Sequence, residues 1–203
     1  MIDFITFCDY TGTFAFAISG IRLASAKQFD WFGAYVVGVV TAVGGGTIRD
    51  ILLNATPFWM GQGSYLIISA LALLFVIIFR KYVISLNNTF FIFDAIGLGL
   101  FGVVGIEKAL TFGFPMWVAI VMGTITGAFG GMIRDILINE VPLIFRKDIY
   151  ALACVFGGII YYACLQMGIG PSLTQLIAAT GIFVSRIVAV KYHISVPVLK
   201  GEE

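Results

Sequence analysis

The chain has 203 residues, of which 60% are hydrophobic and only 11% carry a charge. A soluble domain has about 25% charged residues, so the bilayer must be the solvent for most of this protein's outer surface. The net charge of +1 excludes a polybasic surface for nucleic acid. The cysteines, Cys8, Cys154 and Cys164, lie in apolar stretches and are expected to be free thiols rather than disulfides or metal ligands. We expect no cofactor, and the sequence assigns no metal site.

The apolar stretches predict seven membrane spans. A helix rises about 1.5 Å per residue, so about 20 apolar residues cross the hydrocarbon core. The separators are short and rich in Gly, Pro, Asn and Asp, which predicts a single membrane domain over 1–203. The predicted spans are 4–24, 31–55, 63–84, 88–109, 115–139, 148–168 and 172–192.

The basic residues predict how these spans are oriented. One set of span ends offers only Lys108, which stands beside Glu107. Because basic residues concentrate on the cytoplasmic side, we predict an inner (plasma) membrane protein with its N-terminus outside and its C-terminus inside. The opposite set of ends collects Arg22, Lys27, Arg80, Lys81, Arg146, Lys147, Lys191 and Lys200.

The sequence also aligns with itself without a gap at an offset of 85 residues, so that Asp9 matches Asp94 and Thr41 matches Thr126. The clearest match is the block Gly45-Gly46-x-Ile48-Arg49-Asp50-Ile51-Leu52-x-Asn54-x-x-Pro57 with Gly130-Gly131-x-Ile133-Arg134-Asp135-Ile136-Leu137-x-Asn139-x-x-Pro142.

This alignment divides the chain into repeat one (4–84), repeat two (88–168) and a seventh helix (172–192). Each repeat holds three spans, which is an odd number, and no linker helix fits between residues 84 and 88. The second repeat is therefore expected to cross the membrane in the opposite sense. Inverted repeats place their functional site near the midplane, where the copies meet.

The second and fifth spans contain glycine runs, Gly44-Gly45-Gly46 and Gly130-Gly131. Glycine costs about 1 kcal/mol relative to Ala in a helix, so these runs predict a kink or a break. A stripe of small residues along each span is more simply interpreted as a face for close helix packing. These stripes are Ala34, Gly38, Ala42 and Gly46, and Ala119, Gly123, Gly127 and Gly131.

An Arg-Asp pair follows each glycine run, at Arg49-Asp50 and at Arg134-Asp135. Charges inside a bilayer are costly, so these side chains should face the protein interior. Neighbouring residues on a helix do not face each other, so Arg49 need not pair with Asp50. The symmetry of the repeats allows a cross-pairing instead, of Arg49 with Asp135 and of Arg134 with Asp50. Such pairs can simply lock the repeats together, the arginines can border a permeation path, or both can hold.

Other polar residues inside the spans are open to two interpretations. Asp9 and Asp94 can extend to the membrane interface or line a vestibule. The hydroxyls of Thr41 and Thr126 can line a pore or bond their own backbone. Arg186 is expected to reach lipid headgroups at the inner surface.

The duplicated Gly-Gly-x-Ile-Arg-Asp block resembles the prokaryotic TRIC (trimeric intracellular cation) channels. It also resembles bacterial proteins of the same two-repeat superfamily that are assigned as glycine transporters. The resemblance implies an all-α membrane protein with an inverted 3+3 repeat, and a homotrimer in which each protomer has its own pore. It implies that spans two and five kink at Gly44 to Gly46 and at Gly130-Gly131 and line that pore.

The resemblance further implies that Arg49 and Arg134 are the basic pore residues and that the permeant is a monovalent cation, chiefly K⁺, with Na⁺ a second candidate. In the second copy Phe129 replaces the first glycine of the run, a departure from the pattern. The alternative is a secondary transporter of a small amino acid such as glycine, with an Arg for the carboxylate and an Asp for the ammonium group. An enzyme is disfavoured, because the sequence has one histidine, His193, and lacks a recognisable catalytic motif.

Overall fold

The computed structural model describes residues 4–80, 89–146 and 149–197. Within these ranges the regular structure is helical, as predicted. We label the seven longer helices α1 (Phe4–Ala26), α2 (Trp31–Leu52), α3 (Ser64–Ile78), α4 (Thr89–Thr111), α5 (Met116–Leu137), α6 (Ala151–Gln166) and α7 (Pro171–Lys191). A single helical turn, Phe58–Gly61, precedes α3, and a 3-10 turn, Leu143–Phe145, precedes α6.

Each predicted span coincides with one helix, but the helices differ in length. α1, α2, α5 and α7, together with Phe90–Thr111 of α4, are long and apolar enough to cross a membrane. The 15 residues of α3 and the 16 of α6 make shorter apolar helices. They are about 23 Å long, against a hydrocarbon core of about 30 Å. The end of the third predicted span, at 81–84, residue 88 of the fourth and residue 148 of the sixth lie outside the described residues.

The centre of the molecule is formed by α1, α2, α4 and α5, which share the largest helix–helix interfaces. α3 packs on α1 and α2, and α6 packs in the corresponding way on α5 and α4. α7 has no counterpart and packs on α4 and α6. The interior therefore consists of the two helix pairs that carry the duplicated polar residues.

The α1–α4 contact is reciprocal. The rings of Phe16 and Phe101 lie 5.2 Å apart between their centroids. A Cβ atom at Gly12 would touch the Phe101 ring, and one at Gly97 would overlap the Phe16 ring. Because residues 12 and 16 meet residues 101 and 97, α1 and α4 run antiparallel.

The α2–α5 contact is reciprocal in the same way. A Cβ atom at Gly45 would overlap the carbonyl oxygen of Thr126, and one at Gly130 would overlap the carbonyl oxygen of Thr41. Residues 45 and 41 thus meet residues 126 and 130, which makes these helices antiparallel and places their backbones in direct contact. Glycine is required at both crossing points because any side chain there would force the helices apart.

The glycine runs do not break their helices. α2 is helical from Trp31 to Leu52 and α5 from Met116 to Leu137, without interruption at Gly44 to Gly46 or at Gly130-Gly131. The break allowed by the sequence is therefore wrong, because close packing across the crossing offsets the low helix propensity of glycine. A kink at these positions stays a prediction.

Candidate functional site: two charged clusters at opposite ends of a helix crossing

The duplicated block forms the same local structure in both copies. Asn54 (φ 54°) and Asn139 (φ 57°) adopt the left-handed conformation just after α2 and α5, which asparagine tolerates better than most residues. The chain then turns back at Pro57 or Pro142. The helical turn that follows, Phe58–Gly61 or Leu143–Phe145, therefore lies against the C-terminal end of α2 or α5.

Each aspartate of the block accepts a hydrogen bond from that returning turn. Phe58 N donates to Asp50 Oδ2 at 2.9 Å, and Leu143 N donates to Asp135 Oδ2 at 3.0 Å. These are amide groups at the start of a helical turn, which has no backbone acceptor for them. Asp50 and Asp135 are both buried. Each aspartate therefore holds the turn that follows its helix against the end of that helix.

Each arginine of the block pairs with the aspartate next to it. Arg49 Nε donates to Asp50 Oδ1 at 2.7 Å, and Arg134 Nε donates to Asp135 Oδ1 at 2.9 Å. The cross-pairing predicted from the sequence, Arg49 with Asp135 and Arg134 with Asp50, is wrong.

The reason is the antiparallel crossing of α2 and α5. Residue 45 lies beside residue 126, so the position beside Arg49 is near residue 122. Asp135 is 13 residues further along α5, which is about 20 Å at 1.5 Å per residue. The Arg-Asp pairs thus lie at opposite ends of the crossing. Of the duplicated residues that the sequence placed where the two copies meet, the structure brings the glycines together and keeps the Arg-Asp pairs apart.

The first charged cluster, Asp9, Arg49, Asp50, Tyr65 and Lys108, lies at one end of the crossing. Lys108, from α4, places its Nζ 2.9 Å from Asp50 Oδ1, so Asp50 binds two cationic groups. Tyr65 of α3 donates its hydroxyl to Asp9 Oδ2 at 2.5 Å. The five side chains come from four different helices. Two carboxylates and two cations make the cluster neutral overall.

The second charged cluster, Asp94, Arg134, Asp135, Tyr150 and Arg186, lies at the other end and is more deeply buried. Arg134 and Asp94 are both fully buried, with Arg134 Nη1 2.5 Å from Asp94 Oδ1. Arg134 Nη2 also lies 2.8 Å from Asp135 Oδ1. The hydroxyl of Tyr150 is 3.5 Å from Asp94 Oδ1. This cluster is also neutral overall.

Asp94 and Arg186 therefore correct two expectations. Asp94 does not extend to the membrane interface, because it is the buried partner of Arg134. Arg186 is 1% exposed, and its guanidinium lies over the rings of Phe91 and Tyr150 at 5.0 and 4.9 Å. Its Nη1 donates to the Ile149 carbonyl at 2.9 Å, so this arginine binds the protein interior rather than headgroups.

The threonines beside the crossing bond their own helices. Thr41 donates to the Val37 carbonyl and Thr126 to the Met122 carbonyl, both at 2.6 Å. Both side chains are buried, and each lies against a glycine of the neighbouring helix, Gly20 or Gly105. The hydroxyl protons are thus already used.

Sequence reasoning missed Tyr65, Tyr150, Lys108 and Ser19 as members of these sites. Tyr65 and Tyr150 are separated by 85 residues, so the repeat offset would have found them. Lys108 and Ser19 have no polar counterpart at that offset. Ser19 joins the second cluster by accepting a hydrogen bond from Arg134 Nη1 at 2.8 Å.

The end of the fold that carries the second cluster also has an exposed ion pair between the repeats. Lys27 Nζ lies 2.7 Å from Glu140 Oε1, and Arg146 Nη2 lies 3.5 Å from Glu140 Oε2. The hydrogen bond and charge of Lys27 lower the pKa of the Glu140 carboxyl below its usual value. A cavity of about 190 Å³ is lined by both members of this pair and also by Arg134 and Asp135.

Comparison with known proteins agrees with this fold. The glycine transporter family matches residues 6–81 and again residues 91–166. An inner membrane protein of Escherichia coli K12, UPF0126 protein YadS, is 36% identical over 198 residues, which cover 96% of both chains. A UPF0126 membrane protein of Vibrio cholerae is 41% identical over 191 residues, covering 93% of this chain and 80% of the relative.

Solved structures of similar proteins extend the comparison. The TRIC trimeric intracellular cation channel orthologue from Rhodobacter sphaeroides superposes with a TM-score of 0.88 at 34% identity, covering 94% of this chain and 98% of that one. A prokaryotic TRIC channel determined in KCl superposes with a TM-score of 0.86 at 33% identity, covering 97% and 100%. The chain thus belongs to the TRIC family of membrane proteins, the UPF0126 group, whose shared repeat is described as a glycine transporter.

Proposed function

We propose that this chain is a cation channel that conducts K⁺, and Na⁺ to a lesser degree, through a separate pore in each protomer of a homotrimer. The single observation that carries this proposal is the similarity over nearly the whole chain to TRIC cation channels of known structure. The proposal includes seven spans in an inverted 3+3 repeat, with the N-terminus outside and the C-terminus in the cytoplasm of the inner membrane. Membrane lipid surrounds the trimer, and no enzymatic reaction is part of the function.

The proposed path follows the α2–α5 crossing from one charged cluster to the other. Gly44 to Gly46, Gly130 and Gly131 lie along the crossing, and Arg49 and Arg134 lie at its two ends. Each arginine is neutralised by a carboxylate, so it can order water or a gate without the full repulsion of a free cation. Asp50 and Asp135 supply that neutralisation, while Asp9, Asp94, Thr41 and Thr126 lie beside the path.

The direct backbone contact at Gly45 and Gly130 means that a path between α2 and α5 is closed in this conformation. Conduction then requires the two helices to separate or to kink at the glycine runs. The glycines suit such a motion, since they add no side chains that must repack.

The alternative is a secondary transporter of glycine, which the family's description favours. Either charged cluster offers an arginine for a carboxylate and aspartates for an ammonium group. The existing ion pairs weigh against it, because a substrate would have to displace Arg49 from Asp50 or Arg134 from Asp94 and Asp135.

Flux from proteoliposomes decides between these functions. A K⁺ channel should show discrete openings under voltage. Its K⁺ efflux should not change when glycine is added at millimolar concentration. Arg49→Lys keeps the charge of the first cluster but changes its geometry, and should alter the unitary conductance. Lys191→Arg, which also keeps its charge and lies at an exposed position outside both clusters, serves as the matched control. Saturable glycine uptake without K⁺ conductance would overturn the channel proposal.

A further inference from the structure

A cavity lies at the end of the fold formed by the C-terminal ends of α1 and α5. Buried Arg134 and Asp135 line it on the protein side, and Ile138, which is 4% exposed, forms part of its wall. Lys27 and Glu140 line the same cavity, and their side chains are 40% and 42% exposed to solvent. The cavity therefore extends from a solvated pair of charges towards the second charged cluster.

The ion pair joins the two repeats at the lining of this cavity. Lys27 follows α1 in the first repeat, and Glu140 follows α5 in the second, 113 residues later. Both lie in short segments next to a residue with positive φ, Gln28 (61°) and Asn139 (57°), where the backbone leaves its helix. Arg146 holds the second oxygen of Glu140 from the same loop. Separating Lys27 from Glu140 thus needs only a side-chain rotation or a small loop movement.

The energetics suit a contact that opens and closes. An exposed ion pair is weak, because water and salt screen it and two long side chains must be held in one geometry. The ion pairs of the second charged cluster beneath it are buried, and breaking one leaves an uncompensated buried charge. The exposed contacts of Glu140, with Lys27 and with Arg146, are therefore the ones that thermal motion can break at low cost.

We propose that the Lys27–Glu140 ion pair is the closing element of the entrance through which water and ions reach the second charged cluster. This inference rests on the proposed function only in naming the path as one for cations. By the distribution of basic residues, the entrance faces the cytoplasm. A cation that enters this cavity from that compartment passes Lys27 and Glu140 on its way to Arg134 and Asp135.

The test measures access to the cavity with a cysteine at Ile138 and a small, neutral, water-soluble maleimide, using the full-length protein in proteoliposomes. Cys8, Cys154 and Cys164 are buried, and the protein without the added cysteine gives their background rate. Lys27→Gln or Glu140→Gln should each raise the Ile138→Cys modification rate about two- to fivefold, the range that a weak exposed pair allows.

The double variant Lys27→Gln/Glu140→Gln should be no faster than either single variant, because one missing partner already opens the pair. Raising the salt from about 0.1 M to 1 M should speed modification with the pair intact and not in the variants, since salt screens exposed charges. The matched control is Leu53→Cys, the position equivalent to Ile138 in the first repeat and equally buried. Its rate should not respond to Lys27→Gln.

Unchanged rates in both single variants, or effects that multiply in the double variant, would overturn the proposal. Equal acceleration at Leu53→Cys would overturn it too, because the substitutions would then loosen the whole fold. K⁺ current measured on the same variants separates this inference from the proposed function. If the Ile138→Cys modification rate depends on the ion pair but the protein carries no K⁺ current, the channel proposal is refuted and the proposed role of the ion pair at the entrance still holds.

Discussion

The two charged clusters should respond very differently to the loss of equivalent arginines. Arg134→Gln removes the cation bound to Asp94, which is fully buried, and also the partner of Asp135. Breaking a buried ion pair from one side costs about 3–5 kcal/mol. Arg49→Gln removes one cation from Asp50, but Lys108 remains 2.9 Å away and Phe58 N still donates to Oδ2. Its cost should be about 1.5–3 kcal/mol, as for one hydrogen bond to a charged group.

The assay is unfolding of the purified protein in detergent, followed by tryptophan fluorescence during heating. At roughly 2–4 °C per kcal/mol for a chain of this size, Arg134→Gln should lower the Tm by about 6–20 °C. Arg49→Gln should lower it by about 3–12 °C. SDS titration of the same variants gives the free energies of unfolding independently.

Two double variants test whether the reasoning is correct. Arg49→Gln/Lys108→Gln leaves Asp50 buried without a cation. Its Tm should therefore fall by as much as that of Arg134→Gln. Arg134→Gln/Asp94→Asn removes the orphaned charge and should recover about half of the lost stability, since losing both partners costs less than losing one. Equal destabilisation of the two single variants, with no recovery by Asp94→Asn, would refute the different dependence of the two clusters on their arginines.

The remaining predictions concern the helix crossing, the tyrosines and the exposed ion pair. Gly45→Val should cost at least about 1–3 kcal/mol by forcing α2 away from Thr126, whereas Gly61→Ala, with open space around it, should stay within about 0.5 kcal/mol in the same SDS titration. Tyr65→Phe should destabilise more than Tyr150→Phe, because Tyr65 donates to Asp9 at 2.5 Å and Tyr150 lies 3.5 Å from Asp94; equal losses would contradict this. The pKa of Glu140 is lowered in the folded protein, so its ion pair stabilises at neutral pH and is lost as pH falls through that pKa. The decline in Tm between about pH 5 and pH 3 should therefore be smaller in Glu140→Gln than in the wild type.

Much of the fold could be read from composition and periodicity, because a bilayer leaves few alternatives to helices. The apolar stretches placed the seven longer helices of the described ranges, and the offset of 85 residues identified the block that forms the same turn in each copy. The local bonds of that block, such as Phe58 N to Asp50, follow from residues only eight apart in the chain. Helical hydrogen bonds and the Asn and Pro signals act over similarly short distances, which is why sequence patterns capture them.

Only the tertiary structure decided which charges meet. The odd number of spans in each repeat predicted that α2 and α5 run in opposite directions. Only the structure showed that they cross at Gly45 and Gly130, which sets the Arg-Asp pairs at opposite ends of the crossing. Lys108 stands where the first repeat has Leu23, and Arg186 lies in α7 outside both repeats. They reach Asp50 and Tyr150 through contacts between distant helices. The sequence by itself determined which polar residues lie within the membrane spans and that they need partners, because an unpaired charge in the bilayer costs free energy. Packing determined which partners they have, since that depends on the crossing geometry of helices far apart in the chain.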